Sequence, residues 1–221
     1  TDGTVVRLTD TYPQYANNFY CRNSKDQVFK CLLNKSNVAS TIEPTIDIDG
    51  QLPENPYIQT SDGYRWKYLY TIPTGLKQKF FTNNWMPVTT DNAVVVGSVD
   101  GRIDILKIRD GGTGYFLDNG ELGNSNSLSI ITITGDGTGA EVTAKVESGV
   151  ITDVNILNGG SGYTYANVVI SDPDQLSSGN TANIEVVISP PGGHGANPFK
   201  ELGCYSIMTT VTLSGTEGGT I

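Results

Sequence analysis

The chain has 221 residues, with 14 Lys+Arg against 23 Asp+Glu and a formal net charge of −9. That balance supplies none of the counterion release on which non-specific nucleic-acid binding rests, so no nucleic-acid partner is expected. No apolar run approaches the length that spans a bilayer, and no membrane partner is expected either; the chain reads as a soluble protein, one domain or preferably two small ones.

A hydrophobic fraction of 37% with 26 glycines suits short strands joined by tight turns, because Gly supplies the positive φ that such turns need. Thr, Val, Ile and Tyr recur while Leu and Ala are sparse. These β-branched and aromatic side chains fit a pleated, half-buried surface, so the class is all-β with little helix. The start, Thr1-Asp2-Gly3-Thr4, has neither the basic nor the apolar stretch of a secretory leader. The lack of an initiator Met and the loop-like run from Ser214 to Ile221 point to a piece of a longer polypeptide.

Residues 1–92 carry most of the aromatics. Tyr20-Cys-Arg22 and Gln27-Val-Phe-Lys-Cys-Leu-Leu33 flank the polar Asn23-Ser-Lys-Asp26, a hairpin signal. Cys21, Cys31 and Cys204 are odd in number and lack CxxC spacing, which argues against a disulfide framework or a zinc site. They are expected as buried reduced thiols, with a Cys21–Cys31 bridge across the hairpin as the alternative. From Asn34 to Asp62, Pro44, Pro53 and Pro56 mark a long surface loop. In Ser61-Asp-Gly-Tyr-Arg-Trp-Lys-Tyr-Leu-Tyr-Thr-Ile-Pro73, Tyr64, Trp66, Tyr68 and Tyr70 alternate with other residues. Period two places all four rings on one face of a strand, and that face must be covered.

Residues 93–191 change character, with few aromatics and much Val, Ile, Thr, Gly and Asn. They contain an internal repeat: the stretch from Asp104 to Tyr115 resembles the stretch from Thr152 to Tyr163, with GGxGY glycines 48 positions apart, Gly111 to Gly159. Each copy follows a turn and strand at Gly101 or Gly149, which predicts two similar β-modules packed on one another. Ile103 and Ile105, and likewise Val142, Ala144 and Val146, should face a core, while GGxG makes a left-handed turn whose Tyr lies over a glycine surface. Residues 192–221 read as a glycine-rich loop, then a strand from Cys204 to Leu213 that returns to the first domain.

The chemistry-bearing candidates are thin. His194 is the one histidine. Its Gly-Gly-His-Gly setting has no nucleophile elbow nearby and predicts a turn histidine, exposed or bonded to backbone. Gly135-Asp-Gly-Thr-Gly-Ala140 lacks the Lys-Ser/Thr and following helix of a phosphate loop and reads as a hairpin turn between Ile133 and Val142. Asp47 with Asp49, and Asp172 with Asp174, are the best acidic pairs, but neither has the spacing of a calcium loop. Glu54 and Asp62 are the kind of carboxylates a glycoside hydrolase would use, although any two in an acidic chain could be named. No catalytic, cofactor or metal residue is assigned and the chain is not expected to be an enzyme. The rings of the aromatic strand suit core or subunit-interface packing better than sugar stacking.

Three ordered blocks carry a family resemblance: Val28-Phe-Lys-Cys-Leu32, Thr41-Ile-Glu-Pro44 and Asp62-Gly-Tyr-Arg-Trp-Lys-Tyr-Leu-Tyr-Thr-Ile-Pro73. Together they resemble the dimeric baseplate wedge protein of T-even-like contractile-tailed phages, with a weaker match from Leu202 to Thr209. The blocks touch about a third of the chain, and residues 93–191 look like an insertion relative to that pattern. The resemblance implies a β-sandwich wedge component located in the virion tail baseplate and assembled in the host cytoplasm. It also implies a homodimer within each wedge, other baseplate wedge proteins as partners, and interfaces with two arrangements in place of catalysis. Tyr64, Trp66, Tyr68, Trp85 and Met86 are the candidate interface residues, large apolar anchors of the kind that dominate such contacts. The rival reading is a tail-associated receptor- or glycan-binding module, which requires exposed aromatics in a groove. A polysaccharide-degrading tail enzyme ranks third.

Overall fold

A computed structural model describes residues 6–7, 19–34, 38–47, 57–115, 124–171 and 179–211. The aromatic part is a five-stranded antiparallel sheet of β1 (Val6–Arg7), β2 (Phe19–Arg22), β3 (Gln27–Leu33), β4 (Ile58–Gln59) and β5 (Arg65–Thr71), in the order β1-β2-β3-β5-β4. The β2–β3 hairpin forms where the polar tetrapeptide predicts it. Buried Asn23 explains why: its Oδ1 accepts from the amides of Lys25 (3.0 Å) and Gln27 (2.8 Å). Its Nδ2 donates to Gln27 Oε1 and the Pro44 carbonyl, which ties the proline loop to the turn. Such side-chain bonds replace those a turn cannot make internally.

The aromatic strand departs from simple alternation. Val28 pairs with Tyr70 but Phe29 pairs with Tyr68, so Leu69 is an extra residue on β5. This bulge turns the strand's last ring to the other side. Tyr64, Trp66 and Tyr68 pack together with Phe29, whereas Tyr70 joins Val28, Leu69 and Tyr20 in a separate cluster. The four-ring face predicted from period two is therefore a three-ring face.

Two short helices follow, α1 (Thr74–Phe80) and α2 (Asn92–Gly97). Asp91 caps α2 by accepting from the amides of Ala93 and Val94, and takes a third bond from the Tyr68 hydroxyl. Val94 packs in the three-ring cluster. Helix α2, within the stretch given to the repeat module by sequence, therefore touches the aromatic part through Val94. Leu76, Phe81, Met86 and Val88 cover the opposite cluster. Short helices and loops do much of the covering expected of a second sandwich layer.

The second part consists of β6 (Ile103–Asp110), β7 (Ser125–Leu128), β8 (Ile131–Gly135), β9 (Thr138–Glu147), β10 (Val150–Ser161), β11 (Ala166–Ile170) and β12 (Asn183–Ile188). The antiparallel pairs β6–β12, β8–β11 and β9–β10 adjoin one another round a single core, with β7 added beyond β9. Ile103, Leu106, Val142, Ala144, Val146, Ile151, Val154 and both tyrosines of the GGxGY segments fill that core.

The two GGxGY segments make matching contacts. Ile151 N donates to Gly111 O and Tyr115 N to Gly149 O, while Tyr163 N donates to Gly101 O. A Cβ on Gly111 would lie 2.4 Å from the Ile151 carbonyl oxygen, and one on Gly159 2.6 Å from that of Ile103. Each glycine therefore lets the other copy's strand approach. Strands β6 and β10 also bulge at corresponding places. Asp104 and Arg109 are skipped in the pairing with β12, as are Thr152 and Leu157 in the pairing with β9.

The Gly135–Ala140 segment is a turn, but not of a hairpin: β8 pairs with β11 and β9 with β10. Exposed Asp136 accepts from the amides of Thr164 (2.9 Å) and Tyr165 (3.1 Å), drawing the segment onto the second GGxGY turn. Gly137 sits against the Tyr163 ring, where a Cβ would come within 2.4 Å of it. The Tyr163 ring thus lies between Gly137 and Gly160 of its own turn, where a Cβ would come within 2.9 Å of it.

Candidate functional site

Two features stand out: an apolar surface and a buried charged cluster. The surface begins where α1 ends. The segment after it brings Trp85 and Met86 beside α3 (Pro198–Glu201), which is capped by the Asn197 side chain accepting from Lys200 N. A groove of roughly 580 Å³ lies between Leu76, Phe80, Trp85, Met86, Phe199 and Met208. Trp85 is 43% exposed and stacks obliquely on Tyr205, with ring centroids 6.2 Å apart.

Residues 204–211 leave α3 beside this groove. Cys204 N donates to Phe199 O, and beyond it residues 205–211 make no hydrogen bond among the described residues. The segment has no turn or bend and is assigned to no strand, in contrast to the returning strand expected from its sequence. Its described residues touch Trp85 through Tyr205 and reach no sheet edge. Tyr205 and Val211 are each 77% exposed and Ile207 93%.

Of the five residues proposed from sequence as interface, Tyr64, Trp66 and Tyr68 are in the core, between 4% and 9% exposed. Tyr64 stacks on Trp66 at 5.6 Å and donates to the Val38 carbonyl. Trp85 lies on the groove and partly buried Met86 spans it and the core behind. Phe199, Tyr205 and Ile207 were missed. Their signal was the uncharged, proline-free run from Leu202 to Leu213.

The charged cluster lies where the two parts meet. Lys30 and Lys67 stand opposite each other on β3 and β5. The β6 bulge places Asp104 among the buried residues, and three positive-φ glycines, Gly192, Gly193 and Gly195, fold the loop inward to carry His194 there. His194 is 5% exposed, its Nδ1 bonded to a Glu201 carboxylate oxygen and its Nε2 3.4 Å from Asp104 Oδ2. It is neither exposed nor held by backbone through its ring, as the loop's composition suggested. A Cβ on Gly195 would strike Val94 at 2.3 Å, so the glycines permit close packing on α2.

Glu201 also meets Lys30 Nζ at 3.4 Å and accepts from Gly195 N at 2.8 Å, while its carbonyl accepts from the Tyr20 hydroxyl. Burial pushes the Glu201 carboxyl up, but the His194 bond and the charges of His194 and Lys30 outweigh it and hold the group below its ordinary range. Asp104 goes the other way: burial raises it against the pull of His194, Lys67, Arg102 and Lys30. Burial lowers Lys67, with Asp104 opposing and Arg102 reinforcing. A second tie joins the parts, Arg65 to Asp153 at 3.0 Å, with the Arg65 guanidinium over the Tyr57 ring.

No hydroxyl or thiol among the described residues bonds to the His194 ring; Ser98 Oγ meets its carbonyl instead. Both ring nitrogens face carboxylates, an arrangement that orients and tethers and leaves no base free to activate a nucleophile. Asp62, named beside Glu54, accepts from the Ser40 and Thr60 hydroxyls and the amides of Thr41 and Ile42. These bonds organise the proline loop. Asp47 pairs with Lys25 at 2.8 Å. Glu54, Asp49, Asp172 and Asp174 lie outside the described residues. Among the described residues no three His, Cys, Asp or Glu are placed to hold a metal, and no helix is long and apolar enough to cross a membrane. Cys21, Cys31 and Cys204 are free thiols; burial, first among the causes, pushes Cys21 up to about 12 and Cys31 to about 11.

Strands and turns dominate and every described sheet is antiparallel, which makes this an all-β protein. No protein-family model, no curated protein and no solved structure matches the chain.

Proposed function

We propose that the chain is a structural, non-catalytic subunit of a contractile-phage tail baseplate, a wedge component that forms a homodimer and binds neighbouring wedge proteins. It would be built into the virion after synthesis in the host cytoplasm, without cofactor, nucleic acid or membrane as partner. The observation that carries this reading is the exposed apolar arm at 204–211 beside the Trp85 groove. Contiguous apolar surface of this kind is covered in working assemblies, and aromatic anchors dominate the energy of such contacts.

The placement of the resembling blocks supports the same reading. Val28–Leu32 and Arg65–Thr71 lie on the paired strands β3 and β5, and Leu202 packs on the same sheet. Far apart in sequence, the blocks meet in one packed unit, with the GGxGY part attached to it as a separate core. Locating the chain in intact particles by electron microscopy tests the proposal. Density in the baseplate is the expected result; finding it in a receptor-contacting fibre, or in no particle at all, would discard it.

A further inference from the structure

The His194 ring joins the two parts of the chain through contacts that a neutral imidazole and two carboxylates cannot all satisfy. Nδ1 bonds to a Glu201 carboxylate oxygen, and Glu201 is fastened to the aromatic sheet by Lys30 and by the Tyr20 hydroxyl on its carbonyl. Nε2 faces Asp104 Oδ2 at 3.4 Å, on β6 of the repeat module. Both side chains are buried, His194 at 5% and Asp104 at 3% exposure, and Oδ2 has no hydrogen bond among the described residues. A neutral imidazole has one N–H and one lone-pair nitrogen. With that N–H on Glu201, the lone pair points at a carboxylate that can only accept.

We infer that a single proton shared by His194 and Asp104 latches the repeat module to the aromatic part, and that its loss loosens the joint between them. The proton sits on Nε2, as imidazolium facing a carboxylate, or on Oδ2, as a carboxylic acid facing the lone pair. Either way a donor meets an acceptor, and either way removal leaves two acceptors face to face where no water screens them. Among the described residues, only Arg65–Asp153 and His194–Asp104 are ion pairs that cross between the parts. The two chain crossings, 98–102 and 189–193, lie side by side: Ser189 N donates to Arg102 O, while Ser189 Oγ accepts from Arg102 N and donates to Val99 O. Such a joint can open without unfolding either core.

The groups round the ring set the direction. Lys30 on β3, Lys67 on β5 and Arg102 ahead of β6 draw the Asp104 carboxyl down together with His194, yet burial outweighs them and holds it above its ordinary range. A group raised on folding stabilises the closed form while protonated, and that contribution is lost as pH rises, the same direction as the latch. Glu201 is held below its ordinary range, so its contribution is lost only toward acid. Lys67, lowered chiefly by burial, has the opposite sign, because the folded chain gains as its proton leaves. At the far end of the loop the Asp100 carboxylate accepts from Gly192 N, and α2 presents apolar Val94 to Gly195.

His194 is the one histidine of the chain, so imidazole nitrogen NMR signals report on it alone. The test is their titration in the isolated chain from about pH 5 to about pH 9, the range in which imidazoles exchange protons. Amide-exchange protection, corrected for intrinsic rates, is followed in parallel in wild type and in Asp104→Asn, whose side-chain amide donates to a neutral ring without an added proton. In wild type the Ser189, Gly193 and Gly195 amides should lose protection at least about tenfold with the midpoint of the ring signal, while amides within β9 and β10 keep theirs. In Asp104→Asn the same amides should hold their protection across the range. Wild-type protection that ignores the ring, a ring that keeps one protonation state throughout, or an equal loss in β9 and β10 overturns the latch. So does an Asp104→Asn chain that loosens as wild type does. Should that variant not fold, the wild-type titration alone decides. The baseplate reading stands or falls separately.

Discussion

Lys30 and Lys67 face each other directly on adjacent antiparallel strands, on the side of the sheet where the buried carboxylates of Asp104 and Glu201 converge. Opposed like charges destabilise a strand pair unless something else compensates them. Glu201 answers Lys30 at 3.4 Å and holds His194, which in turn reaches Asp104. The same cluster fixes the point from which the apolar arm departs.

Removing the Glu201 carboxylate leaves the Lys30 ammonium and the His194 ring without their shared partner. Glu201→Ala should lower unfolding free energy by about 3 kcal/mol or more, the usual effect of breaking a buried pair. Urea denaturation measures it, and a loss below about 1 kcal/mol would mean the pair is solvated like a surface ion pair. Among the described residues Lys67 has no ion-pair partner within 4.0 Å. Lys67→Met should therefore raise stability by about 1 kcal/mol.

Gly111 and Gly159 each face a carbonyl of the other copy at a distance no Cβ tolerates. Gly111→Ala and Gly159→Ala should each cost about 1–3 kcal/mol through enforced backbone shifts. Gly75 in α1 has open space where a methyl group would stand, with no atom within 4 Å, so Gly75→Ala should instead gain about 0.5–1 kcal/mol from helix propensity. Thermal unfolding of the three variants side by side gives the comparison.

Asp136 is held down to about 2 from an ordinary 3.8, first by the Thr164 hydroxyl and then by the amides of Thr164 and Tyr165. Its folded value lies below its unfolded one, so the stabilisation is complete above about pH 4 and disappears as pH falls through about 2. The gap in denaturation midpoint between wild type and Asp136→Asn should be constant near neutrality and shrink from about pH 4 downward. A gap unchanged at about pH 2 would contradict the hydrogen bonds to the second GGxGY turn.

Cys204 is exposed, while Cys21 and Cys31 are part-buried with thiols pushed far above neutrality. Alkylation of the native chain at about pH 8 should label Cys204 first and the other two only on unfolding. Mass spectrometry of partly labelled protein reads this directly, and early modification at Cys31 would contradict the packing against Trp66.

Local signals were enough for much of the fold. The Asn23–Asp26 turn, the β3 and β5 strands and the left-handed GGxG turns depend on residues a few positions apart, whose backbone preferences and side-chain bonds act before any distant contact forms. Composition alone gave the all-β class, and the run after Leu202 already showed a strand-like segment without charge. What the tertiary structure decided were matters of register and convergence. One extra residue at Leu69 sent Tyr70 to the opposite face, and a bulge placed Asp104 with the junction's buried charges. The β8–β11 and β9–β10 pairings turned an apparent hairpin into a corner, and the glycine loop carried His194 inward to Glu201. Such pairings join residues far apart along the chain; they are chosen by which arrangement buries the apolar faces and satisfies the charges together, a balance that no local pattern encodes.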